Sequence, residues 1–375
     1  MSEALPVFGE EGGLRGFVAT SADFLVVGRV GGGRRFYLLT REGGVPVEPR
    51  EYRFDGLVLD VRSWAVYSPL QAWRSLSLLE DLVSWIERGA GWRLRGRRLL
   101  LSYSGGKDST AALILLDLLY ERVGFRLEVV HVHMPYLEPE YHVDEAVRLA
   151  SRLGYGVEVL EPPRRVLARR MLEEGLPWRR ARWCTYYKTR PLEEYFERGG
   201  FDYMVVGDRV WESLSRSRRL RPETLFDRER FEPVKHLSLV DVVLLVRSYG
   251  LVHRDYTIGL PRVSCRYCPY KSLYELILEE GVGGDEDPGL IEEVLRREWR
   301  RWYRSIPWED FTTHHYWRFT PRVAQAFHRL RSMLEHVEPV VRLEEVRSMV
   351  RSQWETPVGN LEALPRVTLP WSRLV

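Results

Sequence analysis

The sequence predicts an α/β protein: a parallel sheet with helices on both faces, a β-rich N-terminal domain before it and a helical C-terminal extension after it. Three observations predict this. Short apolar runs alternate with helical patterns between residues 99 and 207, and such alternation builds a parallel sheet covered by helices. Residues 1 to about 62 carry strand-like runs separated by glycine-rich turns. From about residue 286 the pattern is mostly helical and rich in arginine and aromatic rings. A chain of 375 residues is too long for one small domain. The expected domains are 1–90, 91–285 and 286–375.

The elements follow in order. Phe24-Leu25-Val26-Val27 and Phe36-Tyr37-Leu38-Leu39 flank Gly31-Gly32-Gly33, a hairpin signal, and Leu57-Val58-Leu59 with Val61 suggests a further strand. Ser68-Pro69-Leu70-Gln71 reads as a helix start, with a capping serine, proline at the first position and glutamine at the third. Trp73, Leu76, Leu79, Val83 and Ile86 give that helix an apolar face. Leu99 to Tyr103 is a short strand. Lys107 to Tyr120 is a helix apolar nearly all round, and therefore buried. Val129 to His133, Val157 to Leu160 and Tyr203 to Gly207 are further strands. Val143, Ala146, Leu149, Ala150 and Leu153 mark an amphipathic helix between the first two of these.

Composition sets limits. The net charge of +3 does not by itself imply nucleic acid. Four of the 56 basic residues are lysine (Lys107, Lys188, Lys235, Lys271) and the rest are arginine. One asparagine and three glutamines fit a thermophile. A compact ammonium does not substitute for a planar guanidinium, so the four lysines are candidate special positions. No apolar run approaches the ~18 residues of a membrane span, and Met1 to Gly13 lacks the regions of a signal peptide. A cytoplasmic protein is expected. Three cysteines, Cys184, Cys265 and Cys268, cannot make a disulfide framework and point to a metal, a cluster or catalysis.

Ser104-Gly105-Gly106-Lys107-Asp108-Ser109 stands between a strand and a helix. Glycines let backbone N–H groups approach an anion, and the helix N-terminus adds a favourable dipole. Ser104 and Ser109 offer hydroxyls, Lys107 a point charge and Asp108 a ligand for Mg²⁺. A Walker A loop would need glycine where Leu101 stands. The S-G-G-K-D-S run resembles the PP-loop of enzymes that cleave ATP to AMP and pyrophosphate.

Further stretches sharpen the resemblance. Trp183-Cys184-Thr185 with Lys188 and Pro191-Leu192, Gly207-Asp208-Arg209 with Glu212-Ser213 and Arg216, Glu232-Pro233-Val234 with Leu239-Val240-Asp241-Val242, and Cys265-Arg266-Tyr267-Cys268-Pro269 run in family order. Together they resemble the phosphoadenosine phosphosulfate (PAPS) reductase branch of the PP-loop ATP-pyrophosphatases, over residues 99 to 270. The resemblance implies an adenine-nucleotide α-hydrolase-like fold. It also implies a nucleotide site at residues 104–109, Gly207, Arg209, Glu212 and Arg216. Arg209 and Arg216 can make charge-assisted contacts to phosphate, Lys188 adds a positive charge, and Glu212 can orient an arginine. For Arg216, beside Arg218, Arg219 and Arg221, a solvated run is an equal reading.

The chain also departs from that pattern. Reductases of the family carry a catalytic cysteine near the C-terminus, and no cysteine follows Cys268 here. Their second strand leads into Asp-Thr-Gly; here it runs into His133-Met134-Pro135-Tyr136. Three thiolates can hold a [4Fe–4S] cluster with one iron left open. The alternatives are Zn²⁺ completed by His236, His253 or water, and a Cys265–Cys268 redox pair. Cys184 is expected beside Cys265 and Cys268 near the nucleotide. Arg296 to Arg304, with Trp299, Trp302 and Tyr303, could stack on unpaired bases, but a helix with Trp inward and Arg outward is the favoured reading. His314 and His315 read as packing or surface residues. The expected activity uses ATP and Mg²⁺ to adenylate a substrate for sulfur transfer. The expected partners are a tRNA or small-molecule acceptor, a sulfur donor and a second copy of the chain. Sulfonucleotide reduction and non-catalytic adenylate or RNA binding are the alternatives.

Overall fold

A computed structural model describes residues 3–9, 11, 13–64, 79–179, 181–221, 224–284 and 286–362. The helix start expected at Ser68 to Gln71, with Trp73 and Leu76, lies outside them; α1 (Leu79–Leu94) carries Leu79, Val83 and Ile86 of the expected apolar face.

The central sheet contains β8 (Arg98–Ser102), β9 (Arg126–Val132), β10 (Val157–Leu160), β11 (Tyr203–Val205), β12 (Phe226–Asp227) and β13 (Arg230–Phe231). Their order is β10-β9-β8-β11-β13-β12, parallel except for β12 against β13. Strand β8 lies in the middle, which explains its uninterrupted leucines. Leu99 and Leu101 join one apolar cluster with α2 (Lys107–Val123) and α7 (Leu239–Ser248). Leu100 joins a cluster on the other face with Leu192 of α5 (Cys184–Gly199). Helices therefore cover both faces. Helix α2 is apolar all round because it packs against α1, α7 and the sheet together.

The N-terminal residues form β1 (Leu5–Phe8), β2 (Leu14–Ser21), β3 (Phe24–Arg29), β4 (Arg34–Leu39) and β5 (Gly43–Val47), in an antiparallel meander. A two-stranded hairpin, β6 (Glu51–Phe54) and β7 (Leu57–Asp60), follows. The C-terminal region is helical but contributes one strand, β14 (Val341–Arg342), which pairs with β5. Two residues give almost no periodic signal, so the sequence did not announce this strand. Phe24 and Leu38 face the C-terminal helices, while Leu25 and Leu39 face the α/β core. The meander is thus a middle layer. In α10 (Pro288–Trp302), Arg296 and Arg297 bond Glu292 and Glu293 one turn earlier. Trp299 packs inward and donates to the Ile306 carbonyl at 2.8 Å, as the packing reading expected, whereas Trp302 is exposed with Arg301 over its ring. No helix among the described residues is long and apolar enough to cross a membrane.

A buried charge knot joins the layers. Asp23, in the β2–β3 turn, accepts from Arg318 and from Arg331, each at 2.6 Å. Arg318 also donates to the Lys271 carbonyl at 2.8 Å. Burial raises the Asp23 pKa, but the two arginine charges outweigh it and hold the carboxyl below its ordinary value. Its contribution is therefore present at neutral pH and is lost only in strong acid. Asp23→Ala leaves two buried guanidiniums unpaired and is expected to cost ~3–5 kcal/mol. Urea unfolding at pH 7 checks this; an unchanged midpoint would show that the layers are held by other contacts.

Candidate functional site

The loop leaves β8 and turns into α2 at Gly105, whose φ of 71° is left-handed and suits glycine. A Cβ there would also stand 3.3 Å from the His253 ring. Ser104 and Ser109 lock the turn. The Ser109 hydroxyl donates to the Gly106 carbonyl at 3.0 Å and accepts from the Ser104 amide at 3.3 Å. The Lys107 amide donates to the Tyr256 hydroxyl at 2.8 Å.

The charges around the loop are paired. Lys107 Nζ is 3.0 Å from Asp108 Oδ2 and 3.6 Å from a Glu3 oxygen. Arg209, fully buried, donates Nε to Asp108 Oδ1 at 2.5 Å and Nη2 to Glu3 at 2.7 Å. Its Nη1 is buried with no hydrogen-bond partner. Gly207 permits this approach, because a Cβ on it would stand 2.9 Å from the backbone of Asp108 and Ser109. Arg216 is outside this inner set; it bonds Asp208, and its Nε is 3.1 Å from Glu212. Glu212 thus orients Arg216, and Arg219 shares Asp208 at 2.6 Å.

Burial raises the Asp108 pKa, but Arg209 and Lys107 outweigh it and hold the carboxyl well below the carboxylate range. Both of its oxygens are engaged by cations, so Asp108 could take Mg²⁺ only in competition with Lys107 or Arg209. Asp108, expected as a Mg²⁺ ligand, here pairs with Lys107 and Arg209. Burial first and the Asp108 charge second push the Glu212 carboxyl up to about 7, against the pull of Arg209.

Cys184 opens α5, and Cys265 and Cys268 sit on one turn closed by Cys268 N–H to Cys265 O at 3.1 Å. All three are free thiols. Burial first, then the charge of Cys268, raises the Cys184 pKa. Burial pushes Cys265 up to about 12, with Lys188 opposing. The three therefore share one neighbourhood. Among the described residues, however, they do not form a set whose ligand atoms all lie within 4.8 Å of one another. Tetrahedral Zn²⁺ with bonds of ~2.3 Å needs sulfurs ~3.8 Å apart, so three-thiolate zinc does not fit without rearrangement. A [4Fe–4S] cluster spreads its thiolates over three corner irons, and the α5 N-terminus suits its negative charge. The cluster fits the donor set. His236 and His253 were the other zinc candidates. His236 packs edge-on against Trp85, and His253 lies beside Gly105.

Lys188 Nζ is 3.4 Å from Glu138, and the Cys265 and Cys268 charges also act on it. Lys235 and Lys271, by contrast, are fully buried partners of Glu232 and Glu279, away from the loop. Sequence reasoning missed Glu3, Arg179, Tyr256, Arg262 and Glu275. With the loop they line a cavity of about 330 Å³. Arg262 stands three residues before Cys265, and that adjacency was the one available signal. Nothing in the sequence marks Glu3 or Tyr256.

A parallel sheet with this loop at the carboxyl edge of its middle strand defines an adenine-nucleotide α-hydrolase-like protein of the PP-loop class. Residues 98–271 match the phosphoadenosine phosphosulfate reductase domain. No curated protein matches the chain. Among solved structures it is similar to the U34-tRNA thiolase NcsA from Methanococcus maripaludis with its [4Fe–4S] cluster, at 14% identity and a TM-score of 0.37, over 69% of this chain and 80% of that one. It is also similar to NAD+ synthetase from Burkholderia pseudomallei, at 21% identity and a TM-score of 0.28, over 58% of this chain and 85% of that one. Likenesses at this level carry no chemistry to the chain.

Glu3 holds the two cations that a phosphate would need. Glu3→Gln is therefore expected to tighten ATP binding several-fold, because a competing charge is removed. Calorimetry checks this; an unchanged or weaker affinity would show that Glu3 does not compete.

Proposed function

We propose that the protein binds ATP at residues 104–109 and adenylates an oxygen of its substrate, preparing it for sulfur transfer, with tRNA as the acceptor class. The observation that carries this reading is the single cavity. One wall holds Lys107, Asp108 and Ser109; the other holds Arg179 and Arg262, both acted on by the charge of Cys268. The nucleotide loop thus opens on a cavity also lined by Val263 and Ser264, which lead directly into Cys265.

In the first half-reaction the substrate oxygen bonds to the α-phosphorus, and the bond from that phosphorus to the bridging oxygen breaks. Pyrophosphate leaves. Mg²⁺ enters with ATP as part of the substrate. Lys107 and Arg209, fixed by Asp108, neutralise charge on the departing pyrophosphate, and the unpartnered Arg209 Nη1 is a spare donor for it. In the second half-reaction a sulfur nucleophile bonds to the substrate carbon and AMP leaves. Cys184, Cys265 and Cys268 would hold a [4Fe–4S] cluster, which supplies an iron open to a sulfur ligand. Thiols release protons when such a group binds. Lys188 balances the resulting negative charge. Sulfonucleotide reduction is the second reading, supported by the family match over residues 98–271.

Anaerobic protein with ATP, Mg²⁺ and total tRNA, followed by phosphorus NMR, tests the reading. AMP and pyrophosphate are expected. ADP and phosphate, or sulfite release from PAPS in place of AMP formation from ATP, would overturn it. Lys107→Ala should lower the rate ~100-fold. Lys188→Arg should do similar damage without changing the melting temperature, and a fully active Lys188→Arg enzyme would remove Lys188 from the mechanism.

A further inference from the structure

Two imidazoles and a carboxylate meet where β9 leaves the sheet, apart from the loop and the thiols. His131 and His133 are two residues apart on extended backbone, so their side chains share a face. Glu138 follows in the next turn. The three are 1%, 1% and 4% exposed. One ligand atom from each lies within 4.8 Å of the others.

Packing does not explain these histidines. His131 Nδ1 is 2.9 Å from the Tyr103 carbonyl oxygen. A carbonyl only accepts, so Nδ1 carries the proton and the lone pair stays on Nε2. That Nε2 is buried without a hydrogen-bond partner. Neither nitrogen of His133 has one, although Glu161 stands 3.9 Å from its Nε2. Each unsatisfied buried polar atom costs ~1–3 kcal/mol, which an apolar residue at either position would avoid. In the neighbouring set of His142, His253 and Asp255 each imidazole has one nitrogen engaged, His142 Nε2 with Asp255 at 3.1 Å and His253 Nδ1 with the Asp255 amide at 3.0 Å, whereas His133 has neither.

We propose that His131, His133 and Glu138 hold a divalent transition-metal ion, Zn²⁺ being the ion that suits two imidazoles and one carboxylate. Two of the three ligands, His131 and Glu138, are oriented from behind, as metal ligands are. The Tyr103 carbonyl fixes His131. Glu138 Oε2 accepts from the Met134 amide at 3.2 Å and faces Lys188 Nζ at 3.4 Å. Its other oxygen is 3.5 Å from His142, which Asp255 holds. Bonds of ~2.0–2.1 Å put tetrahedral ligand atoms ~3.4 Å apart, and the three stand within 4.8 Å of one another before an ion draws them in. Three protein ligands leave a position for water or a substrate atom, as in catalytic zinc sites. Tyr103 directly precedes the loop, and Lys188 joins Glu138 to the thiols. A bound ion with an open position would supply a Lewis acid at the end of β9. Glu161, 3.9 Å from His133 Nε2, lines a groove of about 730 Å³ on the protein surface. The site stands whether or not the protein adenylates a substrate.

The test removes the thiols first. The full chain carrying Cys184→Ser, Cys265→Ser and Cys268→Ser is titrated with Co²⁺ and then with Zn²⁺. One equivalent should bind, with the visible bands of tetrahedral Co²⁺, and Zn²⁺ should displace it. Adding His133→Gln should lower affinity by more than ~100-fold with the circular dichroism unchanged. If that variant does not fold, the X-ray absorption spectrum of the zinc-loaded three-serine protein decides. Imidazole scattering with nitrogen and oxygen at ~2.0–2.1 Å supports the site. Failure of the three-serine protein to bind either ion, undiminished affinity in folded His133→Gln protein, or a spectrum without imidazole would overturn it.

Discussion

The buried ion pair between Asp108 and Arg209 is the contact on which the site depends. It ties the first turn of α2 to the segment after β11, and Gly207 makes the approach sterically open. Replacing a buried pair with apolar residues is often neutral for stability, whereas removing one partner is costly. Such a pair serves placement more than stability. Asp108 also holds Lys107, so one carboxylate fixes both cations that face a phosphate.

The second constraint is the N-terminal meander. Its turn residue Asp23 holds Arg318 and Arg331, while β2 residues Val18 to Ser21 line the cavity at the loop together with Glu3. The meander therefore closes the cavity from one side and anchors the C-terminal helices on the other. A change in how it docks would alter the cavity as well as the packing of those helices.

The parts legible in the sequence were local. Strand β8, the loop and α2 form one contiguous signature, and the C-x-x-C turn is another. The scarcity of lysine marked real features: all four lysines pair with acidic residues, Lys107 with Asp108, Lys188 with Glu138, Lys235 with Glu232 and Lys271 with Glu279. Rarity could not separate the two near the cavity from the two that hold the core. The illegible parts were long-range. Arg209 and Glu3 meet across 206 residues, and β14 is too short to show a period. The partner of Asp108 could not be read from its neighbours, so its engagement by two cations emerged only in three dimensions. His131 and His133 were visible as a departure after the second strand. Their convergence with Glu138 depends on the turn between them.

The central claim is that Asp108 and Arg209 act as a unit in presenting cations to ATP. A double-mutant cycle on ATP affinity, with Asp108→Asn, Arg209→Gln and the pair, tests it most directly. The account predicts a coupling energy above ~1 kcal/mol, with the double variant little worse than either single one. Effects that add to within ~0.5 kcal/mol would show that the two residues act independently and would contradict it.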